Sequence, residues 1–314
     1  MTVLETKRGA DATRRHPRSP LRKKSKYRKA DAASAWVLLA PALVLFIVFI
    51  IIPTLVGFGL SFYSWNFFDT PTFIGIANFA KLATDSAAWG SLGITLIFVV
   101  LGVVPTIALG FMFAVLINAN MPGVGVLRVL YFVPVVLSVA VSAVLWAFIY
   151  DQRQGPIGAL MQALGLPSID ILNDSTLALP ALVLMMIWLA LPIVIILYLA
   201  GLQRVPEDIY AAAALDGAGP WRTLWSITWP NVASTTFVVA ILQIVNYVAN
   251  SLDVSLIMTN GGPLGATTAL SLYAYRQAFS NQDVGYASVL SVLQLVIIVA
   301  VIGLGRLITR RFSR

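Results

Sequence analysis

The chain has 314 residues, of which 59% are hydrophobic and only 11% are charged, with a mean hydropathy of +0.87. Soluble domains carry about 25% charged residues, so this composition excludes an ordinary soluble protein. There is no cysteine, and the single histidine, His16, lies in a basic segment, which excludes disulfides and argues against thiolate and histidine metal sites.

The chain begins with a strongly basic segment. Eleven of the 21 Lys and Arg lie between Lys7 and Lys29, in a stretch with few apolar residues, which predicts a disordered tail over residues 1–34. A net charge of +8 is also found in nucleic-acid-binding proteins. However, a basic tail directly before an apolar segment is typical of membrane topology signals and of contact with anionic lipid. We therefore expect a lipid bilayer, and no nucleic acid, as a partner.

Six apolar segments are long enough to cross a bilayer core of about 30 Å, which takes about 20 helical residues. They cover residues 35–60, 92–117, 129–149, 177–202, 232–258 and 287–308. The sequence therefore predicts an all-α polytopic membrane protein with six transmembrane helices, in a membrane domain over residues 35–314. With the N-terminus in the cytoplasm, 18 Lys and Arg lie inside and three outside, Lys81, Arg153 and Arg276. This asymmetry predicts that both termini are cytoplasmic.

The segment between the first two spans, residues 61–90, is rich in aromatic side chains. These are Trp65, Phe67, Phe68, Phe73 and Phe79. Two interpretations stay open: an aromatic belt at the membrane interface, or a folded cap that contacts an external partner.

The segment between the fourth and fifth spans, residues 206–230, is polar and is predicted to lie in the cytoplasm. Its alanine run favours a helix, and Pro206, Glu207 and Asp208 suit a helix start. Gly217 is expected to end that helix, and Gly219-Pro220 to begin a second one. The segment is interpreted either as a docking element for a surface partner or as an amphipathic helix at the lipid interface.

The same segment resembles the "EAA" loop of permease subunits of binding-protein-dependent ABC importers, E-A-A-x-x-D-G-A followed by I-x-L-P. The positions that agree are Ala212, Ala213, Asp216, Gly217, Ala218, Ile227 and Pro230. Ala211 stands at the glutamate position and Trp229 at the leucine position. Two further stretches are similar to the sugar-importer branch, F-x-G-x-x-N-[FY] from Phe73 to Phe79 and T-x-G-G-P from Thr259 to Pro263.

The resemblance covers residues 36–311 and implies a type I importer fold and a first permease subunit of the maltose and glycerol-phosphate type. Such a subunit is not an enzyme. It pairs with a second homologous permease and with two ATP-binding subunits, which hold ATP and Mg, while this chain binds no cofactor. An external solute-binding protein delivers the solute. The family implies the bacterial plasma membrane as the location.

The resemblance also assigns ATPase coupling to the loop helix. The residues concerned are Glu207, Tyr210, Ala211, Ala212, Ala213, Asp216, Gly217 and Ala218. The missing glutamate puts one contact in doubt, and Glu207, four residues before Ala211 on the same helical face, is a hypothetical substitute. The chain contains no G-x-x-x-x-G-K-[ST] phosphate-binding motif, so it is not expected to hydrolyse ATP.

Five polar residues follow one face of the fifth span. They are Gln243, Asn246, Tyr247, Asn250 and Asp253, at offsets 0, 3, 4, 7 and 10. Polar groups at lipid depth are costly, so they are expected to face protein or a watery cavity. They are interpreted either as interhelical hydrogen-bonding groups or as the lining of a solute path, since amides and an aromatic ring suit a hydroxyl-rich ligand.

The spans contain no deeply placed Lys or Arg, which favours a neutral di- or oligosaccharide over an anion. Two alternatives remain. The first is an importer permease for glycerol 3-phosphate or another small solute, such as a polyamine. The second is a stand-alone membrane channel or enzyme, which would work without an ATPase partner.

Overall fold

The computed structural model describes residues 27–118, Gly125 and 132–312. Within these residues, five helical stretches are long and apolar enough to cross a membrane: Ser34–Leu60, Ser86–Asn118, Ala178–Leu202, Ala233–Met258 and Val284–Leu307. They match five of the six predicted spans within a few residues. The described chain is mostly helical, as expected for a polytopic helical membrane protein.

Most of the first span lies in a compact unit that ends at Leu55. Helix α1 (Tyr27–Phe46) continues through a π-helical turn (Ile47–Ile51) into α2 (Ile52–Leu60). Helix α1 begins at Tyr27, ahead of the apolar run, and the disordered tail over residues 1–34 stays a prediction. Ala30, Ala32 and Ala33 are strong helix formers that let the helix extend ahead of the apolar run. Residues 1–26 of the predicted tail lie outside the described residues.

The second unit, from Val56 onward, contains a bundle built around three long helices. These are α4 (Ser86–Asn118), α7 (Ala178–Leu202) and α11 (Ala233–Met258). The contact between α4 and α7 is the most extensive in the chain, and α11 packs against both. Large buried side chains such as Phe98, Met185 and Tyr247 fill the space between them. The last long helix of the bundle, α13 (Val284–Phe312), packs against α11.

The third predicted span, residues 129–149, is not one continuous helix. A 3₁₀ turn (Val133–Val136) is followed by two extended residues and then by α5 (Val139–Tyr150). Pro134 lacks an amide hydrogen, and the Ser138 hydroxyl caps α5 by accepting the Val141 N–H at 3.3 Å, so the helix starts anew there. A helix of 12 residues is about 18 Å long, shorter than a bilayer core. Residues 129–131 lie outside the described range.

The aromatic segment after the first span folds into a cap together with the segment before α13. We use "cap" for residues 61–85 and 259–283. It contains a two-stranded antiparallel sheet, β1 (Tyr63–Ser64) with β2 (Thr72–Phe73), in which Tyr63 is opposite Phe73. It also contains α3 (Ala77–Thr84) and α12 (Leu270–Phe279). The segment is thus more than a row of interfacial aromatic residues.

Hydrogen bonds hold the two halves of the cap together. The Lys81 ammonium lies 2.7 Å from Asp283, and the Val284 N–H donates to the Trp65 carbonyl at 2.9 Å. The remaining short elements lie in the loops between spans. They are α6 (Pro156–Ala163), a 3₁₀ turn (Ile171–Asn173), α8 (Glu207–Leu215), α9 (Pro220–Thr223), a π-helical turn (Leu224–Thr228) and α10 (Trp229–Asn231).

Candidate functional site

The helix predicted in the polar loop forms as α8 and ends at a glycine turn. Pro206 has extended backbone angles, and Glu207 and Asp208 occupy the first turn of α8. Gly217 has a φ of +70°, and the Ala218 N–H then donates to the Ala213 carbonyl at 2.9 Å. This 6→1 bond with a left-handed glycine is the usual way in which a helix C-terminus satisfies its last carbonyls.

The two faces of α8 have different surroundings. On one face, Tyr210, Ala214 and Ala218 line a cavity of about 480 Å³ together with the ends of α4 and α7, and Ala213 beside them is buried. This face of α8 is turned toward the ends of α4 and α7 across the cavity.

The remaining surface of α8 is exposed. Glu207 and Ala211 lie one turn apart on it, and Leu215 follows with 90% of its surface exposed. Ala212 and Asp216 are also exposed, so the predicted coupling residues divide between the two faces. The sequence analysis did not select Leu215, although an apolar residue four positions after Ala211 was a signal for it.

A row of aromatic rings connects the loop to the bundle interior. The rings of Trp221 and Trp225 are 5.8 Å apart, those of Trp225 and Trp229 are again 5.8 Å apart, and Trp229 lies 4.9 Å from Phe111. Phe111 is buried and packs on Tyr198 of α7 at 5.5 Å. The end of the loop, at Trp229, is therefore packed on Phe111 of α4, which favours a structured docking element over a tether.

The polar residues of α11 lie on the boundary between its buried and exposed faces. Gln243 and Tyr247 are 3% and 0% exposed, whereas Asn246 and Asp253 are exposed and Asn250 is half-buried. The five residues span about 120° of the helix at 100° per residue, which is wide enough to cover both surroundings. The structure therefore brings together Asn246, Asn250 and Asp253 on one accessible strip and turns the other two into the bundle.

The two buried members of this set contact the core. The Tyr247 hydroxyl pairs with Thr106 of α4 at 2.8 Å, and its ring packs edge-on against Phe98 at 5.5 Å. The Gln243 Oε1 atom is buried and has no hydrogen-bond partner within the described residues. The Tyr247 contacts agree with its interpretation as an interhelical hydrogen-bonding group. The Gln243 side-chain oxygen can still accept a hydrogen bond.

The model of the family described as "Binding-protein-dependent transport system inner membrane component" matches residues 74–314. The chain belongs to this family. It is thus a permease subunit of a multi-pass membrane transporter, and the predicted resemblance is confirmed.

Individual relatives extend over most of the chain. The trehalose/maltose transport system permease protein MalF of Thermococcus litoralis is 31% identical, over 89% of this chain and 94% of its own length. The sn-glycerol-3-phosphate transport system permease protein UgpA of Agrobacterium fabrum is 28% identical, over 84% of this chain and 90% of its own length.

A solved structure has the same fold. A chain from the crystal structure of a bacterial alginate ABC transporter, in complex with an alginate pentasaccharide-bound periplasmic protein, aligns with a TM-score of 0.77. The identity is 20%, and the alignment covers 92% of this chain and 98% of that one. The permease thus shares its fold with a chain of a solved transporter.

Proposed function

We propose that the chain is the permease subunit of an ATP-driven importer of di- or oligosaccharides in the bacterial plasma membrane. The observation that carries the proposal is the exposed surface of a loop helix whose other side lines a cavity with the ends of α4 and α7, in a chain of this permease family. The similarity to a trehalose/maltose permease over 89% of the chain supports a sugar as the solute.

The orientation of the chain in the membrane is inferred from the distribution of Lys and Arg. Both termini and the α8–α9 loop lie in the cytoplasm, and the cap lies outside, because this orientation leaves only three of the 21 Lys and Arg outside. A crossing in the region of residues 129–150 completes six spans. A second homologous permease packs beside this one to close the path, and an external solute-binding protein meets the cap side.

Two cytoplasmic ATP-binding subunits, which hold ATP and Mg, complete the transporter, and one of them binds α8. Leu215 and Ala211 present an apolar, small-residue surface to it, and Glu207 supplies the carboxylate that the motif normally carries at position 211. Tyr210, Ala213 and Ala218 face the bundle and transmit the movement of α8 to α4 and α7. Asp216 and Gly217 shape the turn between the loop helices.

The solute passes along the accessible strip of α11. Asn246, Asn250 and Asp253 offer amide and carboxylate groups there. Tyr247 and Gln243 lie beside the strip and are buried in the bundle. Amides can donate and accept hydrogen bonds, as sugar hydroxyls require. Glycerol 3-phosphate is the second candidate solute, because a glycerol-3-phosphate permease is 28% identical to this chain.

Reconstitution with the partner subunits tests this function. The chain, a second permease, the ATPase and the binding protein encoded with them are placed in proteoliposomes, and ATP-dependent uptake is measured for maltose, trehalose and glycerol 3-phosphate. We expect uptake of a neutral sugar and vanadate-sensitive ATP hydrolysis that the sugar stimulates. Solute flux through the chain alone, without an ATPase, would contradict the proposal and support the channel interpretation.

A further inference from the structure

A polar cavity lies at the end of α11 on the side of the cap. Its volume is about 560 Å³, and its polar lining comes from the loop after α5, the 3₁₀ turn and the residues after α11: Asp151, Gln152, Arg153, Asp170, Asn173 and Asn260. None of these residues was selected from the sequence as a binding residue. Carboxylate, amide and guanidinium groups thus converge on one space large enough for a sugar unit.

The lining groups are held in place but keep hydrogen-bonding capacity. One oxygen of Asp151 accepts the N–H groups of Arg153 and Gln154, at 2.9 and 2.7 Å, and one oxygen of Asp170 accepts from the Asn173 amide at 2.8 Å. Within the described residues, the second oxygen of each carboxylate has no partner. These two oxygens can accept bonds from ligand hydroxyls.

The far rim of the cavity is fixed by the cap. The Arg276 guanidinium donates to the backbone carbonyl of Asn260 at 2.5 Å and to its side-chain oxygen at 3.2 Å. Asn260 therefore faces the cavity in one defined position. The bonds to Arg276 thus fix Asn260, a residue of the T-x-G-G-P stretch, at the cavity.

The cavity continues the accessible strip of α11. Asn246, Asn250 and Asp253 are followed by Ile257, at offsets 0, 4, 7 and 11, which lie on one helical face. Asn260 comes two residues after the end of α11. Ile257 and Asn260 both line the cavity. The strip that we assign to the solute path thus leads directly into this space.

The charge of the lining is negative. Two carboxylates and one guanidinium contribute, and Asp253 adds a further carboxylate on the strip next to the cavity. The backbone N–H groups of Gln154 and Arg153 hold the pKa of Asp151 below its usual value, so this carboxylate is ionised at neutral pH. An anionic solute would be repelled, whereas neutral hydroxyls meet acceptors and donors.

We propose that this cavity, which we call the vestibule, is the first site in the permease to bind the solute, and that it accepts neutral oligosaccharides and rejects anionic ones. The proposal rests on the proposed import function and adds a site and a charge preference to it. It separates this chain from transporters of glycerol 3-phosphate and of acidic polysaccharides.

The absence of cysteine makes a direct test possible, since any introduced thiol is the only one in the chain. Asn173→Cys places a thiol in the vestibule. Leu164→Cys is the matched control, because Leu164 follows α6 on the same side, is 64% exposed and does not line the cavity. In the assembled transporter, a cationic and an anionic methanethiosulfonate of similar size are compared for their reaction rates at each thiol.

We expect the ratio of cationic to anionic reaction rates to be several-fold higher at position 173 than at position 164. In the double variant Asp151→Asn/Asp170→Asn, the ratio of cationic to anionic reaction rates at position 173 should fall about threefold or more. Each carboxylate close to the thiol changes this ratio by about that factor. An equal ratio at the two positions, or a ratio unchanged by the double substitution, would overturn the charge preference. If Asn173→Cys does not assemble, Ile257→Cys provides the vestibule thiol.

Protection experiments then test the ligand class. Neutral maltotriose and the anionic alginate trisaccharide, which are similar in size, are added at equal concentration before labelling. We expect maltotriose to slow labelling at position 173 but not at position 164, and the alginate trisaccharide to slow neither. Protection by the anion, or by neither sugar, would overturn the vestibule. If these labelling tests fail in a transporter whose ATPase activity is stimulated by sugar, the vestibule is overturned and the proposed import function is not. The two failures are therefore distinguishable.

Discussion

The hydroxyl groups of Thr106 and Tyr247 lie 2.8 Å apart in the buried contact between α4 and α11. This bond joins the helix that carries the polar strip to the helix that contacts α7 most extensively. It also explains why Tyr247 points inward while Asn246, its neighbour in sequence, remains accessible.

Breaking this bond should destabilise the bundle modestly. Thr106→Val or Tyr247→Phe leaves one buried hydroxyl unpaired, and hydrogen bonds between membrane helices contribute about 0.6 kcal/mol on average. We expect each single variant to unfold earlier than the parent in a chemical denaturation series in mild detergent. The double variant should lose less free energy of unfolding than the sum of the losses in the two single variants. Strictly additive losses would show that the hydroxyls do not interact.

Gly102 is required by the close approach of α4 to Tyr247. A Cβ atom at this position would lie 2.0 Å from the Tyr247 ring, so Gly102→Ala must displace the ring or the helix. We expect a loss of stability of about 1–3 kcal/mol, in the range of overpacked cores. Gly93→Ala on the same helix is the control, because nothing lies within 4 Å of its added methyl group. Equal unfolding midpoints for the two variants would contradict this packing.

The turn at Gly217 can be tested with a matched pair of glycines. Gly217 and Gly219 both have open space around an added Cβ, but only Gly217 has a positive φ, +70°. Gly217→Ala should therefore cost about 1–2 kcal/mol of backbone strain and distort the presentation of α8, whereas Gly219→Ala should be tolerated. We expect only Gly217→Ala to lower co-purification of the ATPase. The reverse order of effects would refute the role of the turn.

The cap should respond to acid through Asp85. Burial raises the pKa of this carboxyl, but hydrogen bonds from the hydroxyls of Tyr286 and Tyr273 and from two backbone N–H groups outweigh burial and hold the pKa below its usual value. Burial, together with the bond to Asp85, raises the pKa of Tyr273 to about 12. A carboxyl whose pKa is lower in the folded state stabilises the fold above its unfolded pKa and loses this contribution as pH falls through the folded pKa.

We therefore expect the thermal stability of the parent chain in detergent to fall more steeply below about pH 4 than that of Asp85→Asn, since the unfolded pKa of an aspartate is about 3.9. Tyr273→Phe removes one of the hydroxyl bonds and should give an intermediate slope. Parallel pH profiles for the parent and Asp85→Asn would show that this carboxylate is not linked to cap stability.

The sequence predicts some of these features better than others. Runs of apolar residues gave five span positions because hydrophobic length is a local property, and Gly217 was identified because a left-handed turn favours glycine. The start of α5 was missed because the Ser138 cap interrupts a segment that is apolar throughout. Which polar residues of α11 are buried and which are exposed depends on residues far away in the sequence, such as Thr106. The bonds of Asp85 to Tyr273 and Tyr286 also join residues that are distant in the sequence. Leu215 was missed because its exposure depends on how α8 packs.

The most direct test of the central claim, that the exposed face of α8 binds a separate ATPase subunit, is site-specific cross-linking in membranes. A photoreactive amino acid is introduced at Leu215, on the exposed face, and at Leu164, on the opposite side of the bundle, in cells that produce the complete transporter. We expect position 215 to capture an ATP-binding protein and position 164 not to, with capture at position 215 weakened by Gly217→Ala. No ATP-binding protein at position 215, in membranes where the transporter is assembled and active, would contradict this claim.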